Sequence, residues 1–177
     1  MKRFYTLLWG FLLLFSCTKP LDFDQAKTFE AFPVFEGDIF YLDLHKPNLT
    51  DNQGNFRETI YDTLDFGVFK DHSTRNNFIK AEIYIKYSNS FQRHFLTHVF
   101  YIDNNQQIVE QDSLDIQPAT SSIVEGENIY EYSKALNPEF VNFRKIVLKI
   151  DIYPANLPVE DELLHIQSKA KFYIRAH

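Results

Sequence analysis

The chain has 177 residues, of which 45% are hydrophobic, 16% aromatic and 24% charged, and its formal net charge is −6 at pH 7. This composition excludes a disordered tail, a collagen-like fibre and a small protein stapled by disulfides. The acidic balance also argues against nucleic acid as a partner and against electrostatic docking on anionic lipid.

The first sixteen residues have the pattern of an export signal. Lys2 and Arg3 supply a positive start, and an apolar stretch from Leu7 to Phe15 follows them. That stretch is shorter than the roughly twenty residues that a transmembrane helix needs. The small residue Ser16 then stands where a signal peptidase would cut. Residues 1–16 are therefore predicted to be a signal peptide.

The residues at this point, Leu14-Phe15-Ser16-Cys17, resemble the lipobox of bacterial lipoproteins. The resemblance implies a diacylglyceryl thioether on Cys17, cleavage before it and an acylated new N-terminus. The alternative is an ordinary secretory signal followed by a stray cysteine. Cys17 is the only cysteine of the chain, and lipidation accounts for its presence. We therefore expect the bilayer to be held through acylated Cys17, each acyl chain contributing about 0.8 kcal/mol per buried CH₂.

Residues 17–32 are expected to form a lipidated tether, because they contain a proline, mixed charge and no sustained hydrophobic period. In residues 33–177 the hydrophobic period is two, which predicts strands with one buried face. Residues Phe78–Asn89, Lys145–Tyr153 and Leu164–Arg175 alternate most clearly.

Turn signals separate the predicted strands. Asn and Gly accept a positive φ cheaply, so Lys46–Asn55 and Asp103–Asn105 are predicted turns. The second turn would join Phe95–Ile102 to Gln106–Glu110 in a hairpin. One short helix is expected near Pro138, with Asn137 as its N-cap. Seven or eight alternating strands favour an all-β, antiparallel sandwich, which we expect to be immunoglobulin-like.

The layout resembles the small β-sandwich lipoproteins of the Bacteroidota. The lipobox, the strand sequence AEIYIKYSNSF and the hairpin VFYIDNNQQIVE carry this resemblance. It implies the fold and a place at the outer membrane of a Gram-negative cell, on either its periplasmic or its outer side.

Two patterns raise the question of a metal site. His94 and His98 have the four-residue spacing of a helical zinc pair, but their segment is typical of a strand, where four residues span about 13 Å. Asp51–Asn55 has calcium-loop composition, yet the glycine and acidic positions of an EF-hand are not met. We therefore predict that His94 and His98 are strand residues without a metal and that Asp51–Asn55 is a polar turn. A weak calcium site is the alternative for this turn. No cofactor is predicted.

No catalytic motif is present in the sequence. It contains neither a G-x-S-x-G elbow nor an H-E-x-x-H pair, and Cys17 is assigned to the lipid. Asp62-Thr63-Leu64 and Asp112-Ser113-Leu114 resemble the acceptor sequence for O-glycosylation of exported Bacteroidota proteins, which makes Thr63 and Ser113 candidate sites. The alternative is that these residues carry nothing.

Tyrosines on the outer side of strands are candidates for contact with a partner. Tyr84 and Tyr173 alternate with lysines, and Tyr is enriched both in strands and at protein interfaces. The sequence therefore favours a non-catalytic accessory or binding subunit of an outer-membrane or cell-surface assembly, with an outer-membrane protein as its partner. The alternative is a free-standing surface protein that binds a glycan or a calcium-dependent ligand, and a hydrolase is the third possibility.

Replacing Cys17 with Ala tests the anchor. The Cys17→Ala chain is expected to carry no acyl group and to be recovered in the soluble fraction, because a short apolar leader does not hold a protein in a bilayer. Membrane fractionation and intact mass measure both properties. A Cys17→Ala protein that stayed in the membrane fraction would contradict the lipid anchor.

Overall fold

The described part of the protein, in a computed structural model, comprises residues 30–153 and 161–176. The predicted signal peptide, Cys17 and the tether up to residue 29 lie outside the described residues. Within the described part, residues Phe32–Ala176 belong to one compact unit.

Eight β-strands and four short helical segments make up this unit. The strands are β1 (Val34–His45), β2 (Thr59–Asp65), β3 (Phe78–Asn89), β4 (Phe95–Ile102), β5 (Ile108–Ile116), β6 (Val124–Ser133), β7 (Lys145–Ile152) and β8 (Leu163–Ile174). The helical segments are one α-helix, α1 (His72–Asn77), and three 3₁₀ turns, Lys46–Leu49, Val68–Lys70 and Pro138–Asn142.

The strands form two antiparallel four-stranded sheets. Sheet I has the order β1-β8-β3-β6, and sheet II has the order β2-β7-β4-β5. Buried side chains from both sheets meet in one core between them. The prediction of an all-β antiparallel sandwich is confirmed.

The connectivity differs from the immunoglobulin-like arrangement that we expected. The chain changes sheet at every connection except the β4–β5 hairpin, which gives the eight-stranded, double-sheet arrangement of a jelly roll. Strand alternation shows which face of a strand is buried but not which strand lies beside it. The sequence pattern therefore could not predict the order of the strands in the sheets.

Most predicted elements lie where the alternation placed them. The bounds of β3 and β4 are those predicted, and the hairpin after β4 is present, although β5 continues to Ile116. The Asp103 carboxylate closes this turn by accepting bonds from the backbone N–H groups of Asn105 at 2.8 Å and Gln107 at 2.9 Å. The residue with positive φ is Gln106, at 63°, rather than one of the asparagines.

The helix predicted near Pro138 is present as a 3₁₀ turn with Pro in its first turn. Asn137 is its N-cap residue but makes no side-chain cap; its amide instead donates to Glu110 Oε1 at 2.7 Å. The short helix α1, which was not predicted, is capped by Asp71, whose carboxylate accepts from the Thr74 backbone N–H at 2.7 Å.

A cluster of aromatic rings fills one part of the core. Phe69, which is fully buried, lies at its centre in the 3₁₀ turn Val68–Lys70. Five phenylalanine rings lie 5.2–6.3 Å from the Phe69 ring, centroid to centroid: Phe66, Phe78, Phe140, Phe143 and Phe172. Tyr101 and Tyr132 extend the cluster through Phe140. The high aromatic content of the chain is thus used mainly inside the fold.

Removing the central ring should destabilise the protein strongly. Phe69→Ala leaves a cavity that the surrounding rings cannot close, and we expect the free energy of unfolding to fall by about 3–5 kcal/mol. Val68→Ala is the matched control, because its side chain is 39% exposed and should change the free energy by about 0.5 kcal/mol. Urea unfolding measures both, and equal effects of the two substitutions would contradict the central role of Phe69.

Candidate binding surfaces

The outer face of sheet I carries a network of tyrosines, lysines and carboxylates. Its centre is Glu82, whose carboxylate accepts from the hydroxyls of Tyr84 at 2.8 Å and Tyr173 at 3.1 Å. Lys80 donates to Glu82 at 2.7 Å and to Glu131 on β6 at 3.0 Å. The pKa of Glu82 is held below its usual range, chiefly by the bond from Lys80.

Tyr84 and Tyr173 therefore lie on one face, as the alternation predicted. Their rings also have lysines beside them: Lys171 Nζ is 5.3 Å from the centre of the Tyr84 ring, and Lys80 Nζ is 4.8 Å from that of Tyr173. Both tyrosines are held in fixed positions by groups of the same sheet. Their role as a docking face stays a prediction.

A groove of about 440 Å³ lies on this outer face. It runs across all four strands of sheet I, and its lining residues are Glu36, Tyr41, Tyr84, Lys86, Glu127, Gln167, Lys169 and Lys171. A second depression of about 400 Å³ shares Lys86, Glu127 and Gln167 with it. The volume is within the range of ligand-binding clefts.

A β-bulge in β1 places Tyr41 in the groove. The register of β1 on β8 shifts between Asp38 and Phe40, so that Phe40 points into the core and Tyr41 faces outward, opposite Gln167. Bulges re-aim side chains in this way. Phe40, Leu42 and Leu44 alternate with Tyr41, Asp43 and His45, and the bulge brings Glu36 to the same outer face as Tyr41.

The outer face of sheet II has a different chemistry, because apolar side chains occupy much of it beside one polar group, His98, Lys149 and Asp151. Leu96, Phe100 and Ile102 on β4 and Val147 on β7 are half-buried there. Tyr61, Ile108 and Tyr153 surround them and are exposed. We call these seven residues the sheet II apolar strip. The sequence FLTHVFYI of β4 indicates an apolar outer face, because both faces of this strand are largely apolar.

His94 and His98 lie on the outer side of sheet II and pair with different carboxylates. His94 bonds to Asp115 on β5, while His98 Nε2 lies 3.8 Å from Asp151 Oδ2 on β7. Lys149 already binds that oxygen of Asp151 at 2.6 Å. Over residues 30–153 and 161–176, no three His, Cys, Asp or Glu side chains group closely enough to hold a metal ion.

Asp51–Asn55 forms the polar turn that was predicted. One carboxylate oxygen of Asp51 accepts from the backbone N–H groups of Gln53 and Asn55, both at 2.8 Å, and the other from the Asn55 amide at 3.0 Å. These bonds lower the pKa of Asp51. Gly54 supplies the positive φ of 83° that closes the turn.

The two candidate glycosylation residues lie on opposite edge strands of sheet II. Thr63 on β2 and Ser113 on β5 are both exposed. Their preceding aspartates differ: Asp62 is half-buried and accepts from the Thr63 N–H at 2.8 Å, whereas Asp112 is buried. Whether either hydroxyl is modified stays a prediction.

Asp112 links the two sheets inside the sandwich. Its carboxylate accepts from the Tyr101 hydroxyl on β4 at 2.8 Å and from the Tyr132 hydroxyl on β6 of sheet I. Burial raises the pKa of Asp112, although the two tyrosine bonds oppose this effect. Burial likewise raises the pKa of Tyr101 and Tyr132.

None of the helices in the described part of the chain is long and apolar enough to cross a membrane. No family model matches the chain, and no curated protein matches its sequence.

Solved structures with a similar course of the chain are viral capsid proteins. The VP2 subviral particle of infectious bursal disease virus is 10% identical with a TM-score of 0.46, and the T=1 particles derived from this virus give 8% and 0.45. The alignments cover 81% of this chain but only 32% and 31% of those chains. Desmodium yellow mottle tymovirus gives 10% identity and a TM-score of 0.32. Likenesses of this size carry no information on what this chain binds.

The Asp112 link predicts a pH-dependent difference between the wild type and Asp112→Asn. Because the folded pKa is raised, the folded state keeps its proton to a higher pH than the unfolded state. Asp112 therefore stabilises the folded state at a pH below its unfolded pKa of 3.8. This contribution is lost as the pH rises through the pKa of Asp112 in the folded state. Asp112→Asn should therefore gain stability relative to the wild type as the pH rises above 3.8.

Urea unfolding at a series of pH values measures this difference. Asp65→Asn is the control, because Asp65 is exposed on the edge strand β2 of the same sheet. A constant difference between Asp112→Asn and the wild type over the whole pH range would contradict the account.

Proposed function

We propose that the protein is an exported, lipid-anchored and non-catalytic binding subunit that docks on an outer-membrane protein. The lipobox sequence at Cys17 supports the anchor, and the chain carries no catalytic motif. The observation that carries the docking role is the sheet II apolar strip.

The composition of this strip suits a protein interface. Such interfaces have a core poor in charge and rich in apolar and aromatic side chains, surrounded by a polar rim. In the strip, Phe100 lies opposite Val147 on β7 and Ile102 lies opposite Ile108 on β5, so these four residues form a contiguous apolar patch. His98 and its neighbour Lys149 separate this patch from Leu96, which lies opposite Asp151.

The outer face of sheet I suits a protein partner less well. Across the sheet, Glu36, Lys171, Glu82 and Glu131 lie side by side in one row. Covering such a row with a protein would remove several charges from water at a cost that few partners could offset. We therefore assign protein docking to sheet II rather than to the Tyr84–Tyr173 face.

The alternative function, a surface protein that binds a ligand of its own, is favoured by one observation. The groove on sheet I has the volume and the mixed polar and aromatic lining of a small-ligand site. The two functions are compatible, because the groove and the apolar strip lie on opposite faces of the sandwich.

If the protein docks through sheet II, a charge introduced into the apolar strip should abolish binding of the partner. Wild-type protein, isolated from its own membranes in mild detergent, is expected to carry a stoichiometric outer-membrane companion. Phe100→Glu should retain at least tenfold less of that companion, because the new carboxylate would be buried unpaired in the interface.

Ile129→Glu is the matched control, since Ile129 is an apolar residue that is 59% exposed on sheet I. Quantitative mass spectrometry of the pull-down gives the result, and thermal unfolding confirms that both variants fold. Equal recovery of the companion by Phe100→Glu, or equal loss by Ile129→Glu, would contradict docking through sheet II.

A further inference from the structure

The groove on sheet I is built from donors, acceptors and aromatic rings in close alternation. Its lining offers ammonium donors from Lys86, Lys169 and Lys171 and carboxylate acceptors from Glu36 and Glu127. Gln167, at the middle of β8, can both donate and accept. Three lysines against two glutamates leave little net charge in the lining.

Two lysines of the groove, Lys86 and Lys169, form only long and half-exposed ion pairs. Lys86 Nζ lies 3.5 Å from Glu127, and Lys169 Nζ lies 3.9 Å from Asp38, both between side chains about half exposed. Such pairs contribute about 0–1 kcal/mol. Their ammonium groups can therefore turn to a ligand at little cost.

The aromatic walls of the groove come from two different strands. Tyr41 on β1 is 56% exposed, and its ring can serve as a platform. Tyr84 on β3 is fixed on the other side by its bond to Glu82 and by Lys171. A strand, β8, separates β1 from β3, so the two walls are about 10 Å apart.

We propose that this groove binds a neutral oligosaccharide. Each sugar hydroxyl both donates and accepts, so a chain of sugar rings can use the lysines, the glutamine and the glutamates together. The apolar face of a sugar ring can pack on Tyr41. A phosphate or another compact anion would instead meet the Glu36 and Glu127 carboxylates.

The inference deepens the ligand-binding alternative of the proposed function, and it depends on neither the lipid anchor nor the protein partner. Its test uses full-length protein in lauryldimethylamine oxide micelles, because this detergent carries no sugar. The probes are maltohexaose, cellohexaose, xylohexaose and mannohexaose, with hexagalacturonate as the charged comparison. Isothermal titration measures each affinity.

At least one neutral hexasaccharide is expected to bind. Tyr41→Ala and Gln167→Ala should each weaken that binding at least tenfold, because they remove the platform and the central amide. Tyr41→Phe, which keeps the ring, should stay within threefold of the wild type. Leu136→Ala, the control, removes an apolar side chain that is 84% exposed and belongs to neither surface, and it should have no effect.

Three results would overturn the inference. Binding of none of the four neutral probes would show that the groove is not a site for such sugars. Binding of hexagalacturonate alone would make it an anion site. An equal loss in Leu136→Ala and Tyr41→Ala would place the sugar elsewhere. None of these results bears on Cys17 or on the outer-membrane companion, so failure of the anchor or of docking would be recognised separately.

Discussion

The aromatic cluster around Phe69 is the packing interaction on which the rest of the structure depends. Phe69 and Phe140 come from 3₁₀ turns, yet they lie between the two sheets: Phe69 contacts Phe172 of sheet I, and Phe140 contacts Tyr101 of sheet II. Aromatic side chains bury more area than most others, so a few of them fill the space that the strands leave open. The Asp112 carboxylate adds a polar link between the sheets beside this cluster. The interior of the sandwich is thereby complete, and both outer faces are available for other molecules.

These outer faces differ in a way that separates two kinds of ligand. Sheet I presents charges of both signs around fixed tyrosines, with a groove among them. Sheet II presents the apolar strip, which is interrupted by His98, Lys149 and Asp151. A hydroxyl-rich ligand can replace its hydrogen bonds to water by hydrogen bonds to the donors and acceptors of sheet I. A protein partner gains more from burying the apolar strip of sheet II. A domain held by a lipid tether could use both faces at once.

The sequence predicted the elements well and their arrangement poorly. Alternation located β3, β4, β7 and β8 almost to the residue, because a two-sided strand shows its period directly. It did not show that consecutive strands change sheet, since strand pairing is set by contacts distant in sequence. Tyr84 and Tyr173 were placed on one outer face, but that Glu36 and Tyr41 share this face could not be predicted, because a bulge in β1 shifts the register between them. The apolar strip was visible in β4 as a strand apolar on both faces, and becomes a surface only when β7 is known to lie beside it.

Photo-crosslinking in the living cell tests most directly which outer face of the sandwich contacts the protein partner. A photoreactive amino acid would be placed at Phe100 in the apolar strip, at Tyr41 in the groove, or at the exposed Leu136 as a control. The account predicts one discrete protein adduct from position 100, none from position 136, and no protein adduct from position 41. A protein adduct of the same mass from position 41 and none from position 100 would contradict it, because the partner would then bind sheet I.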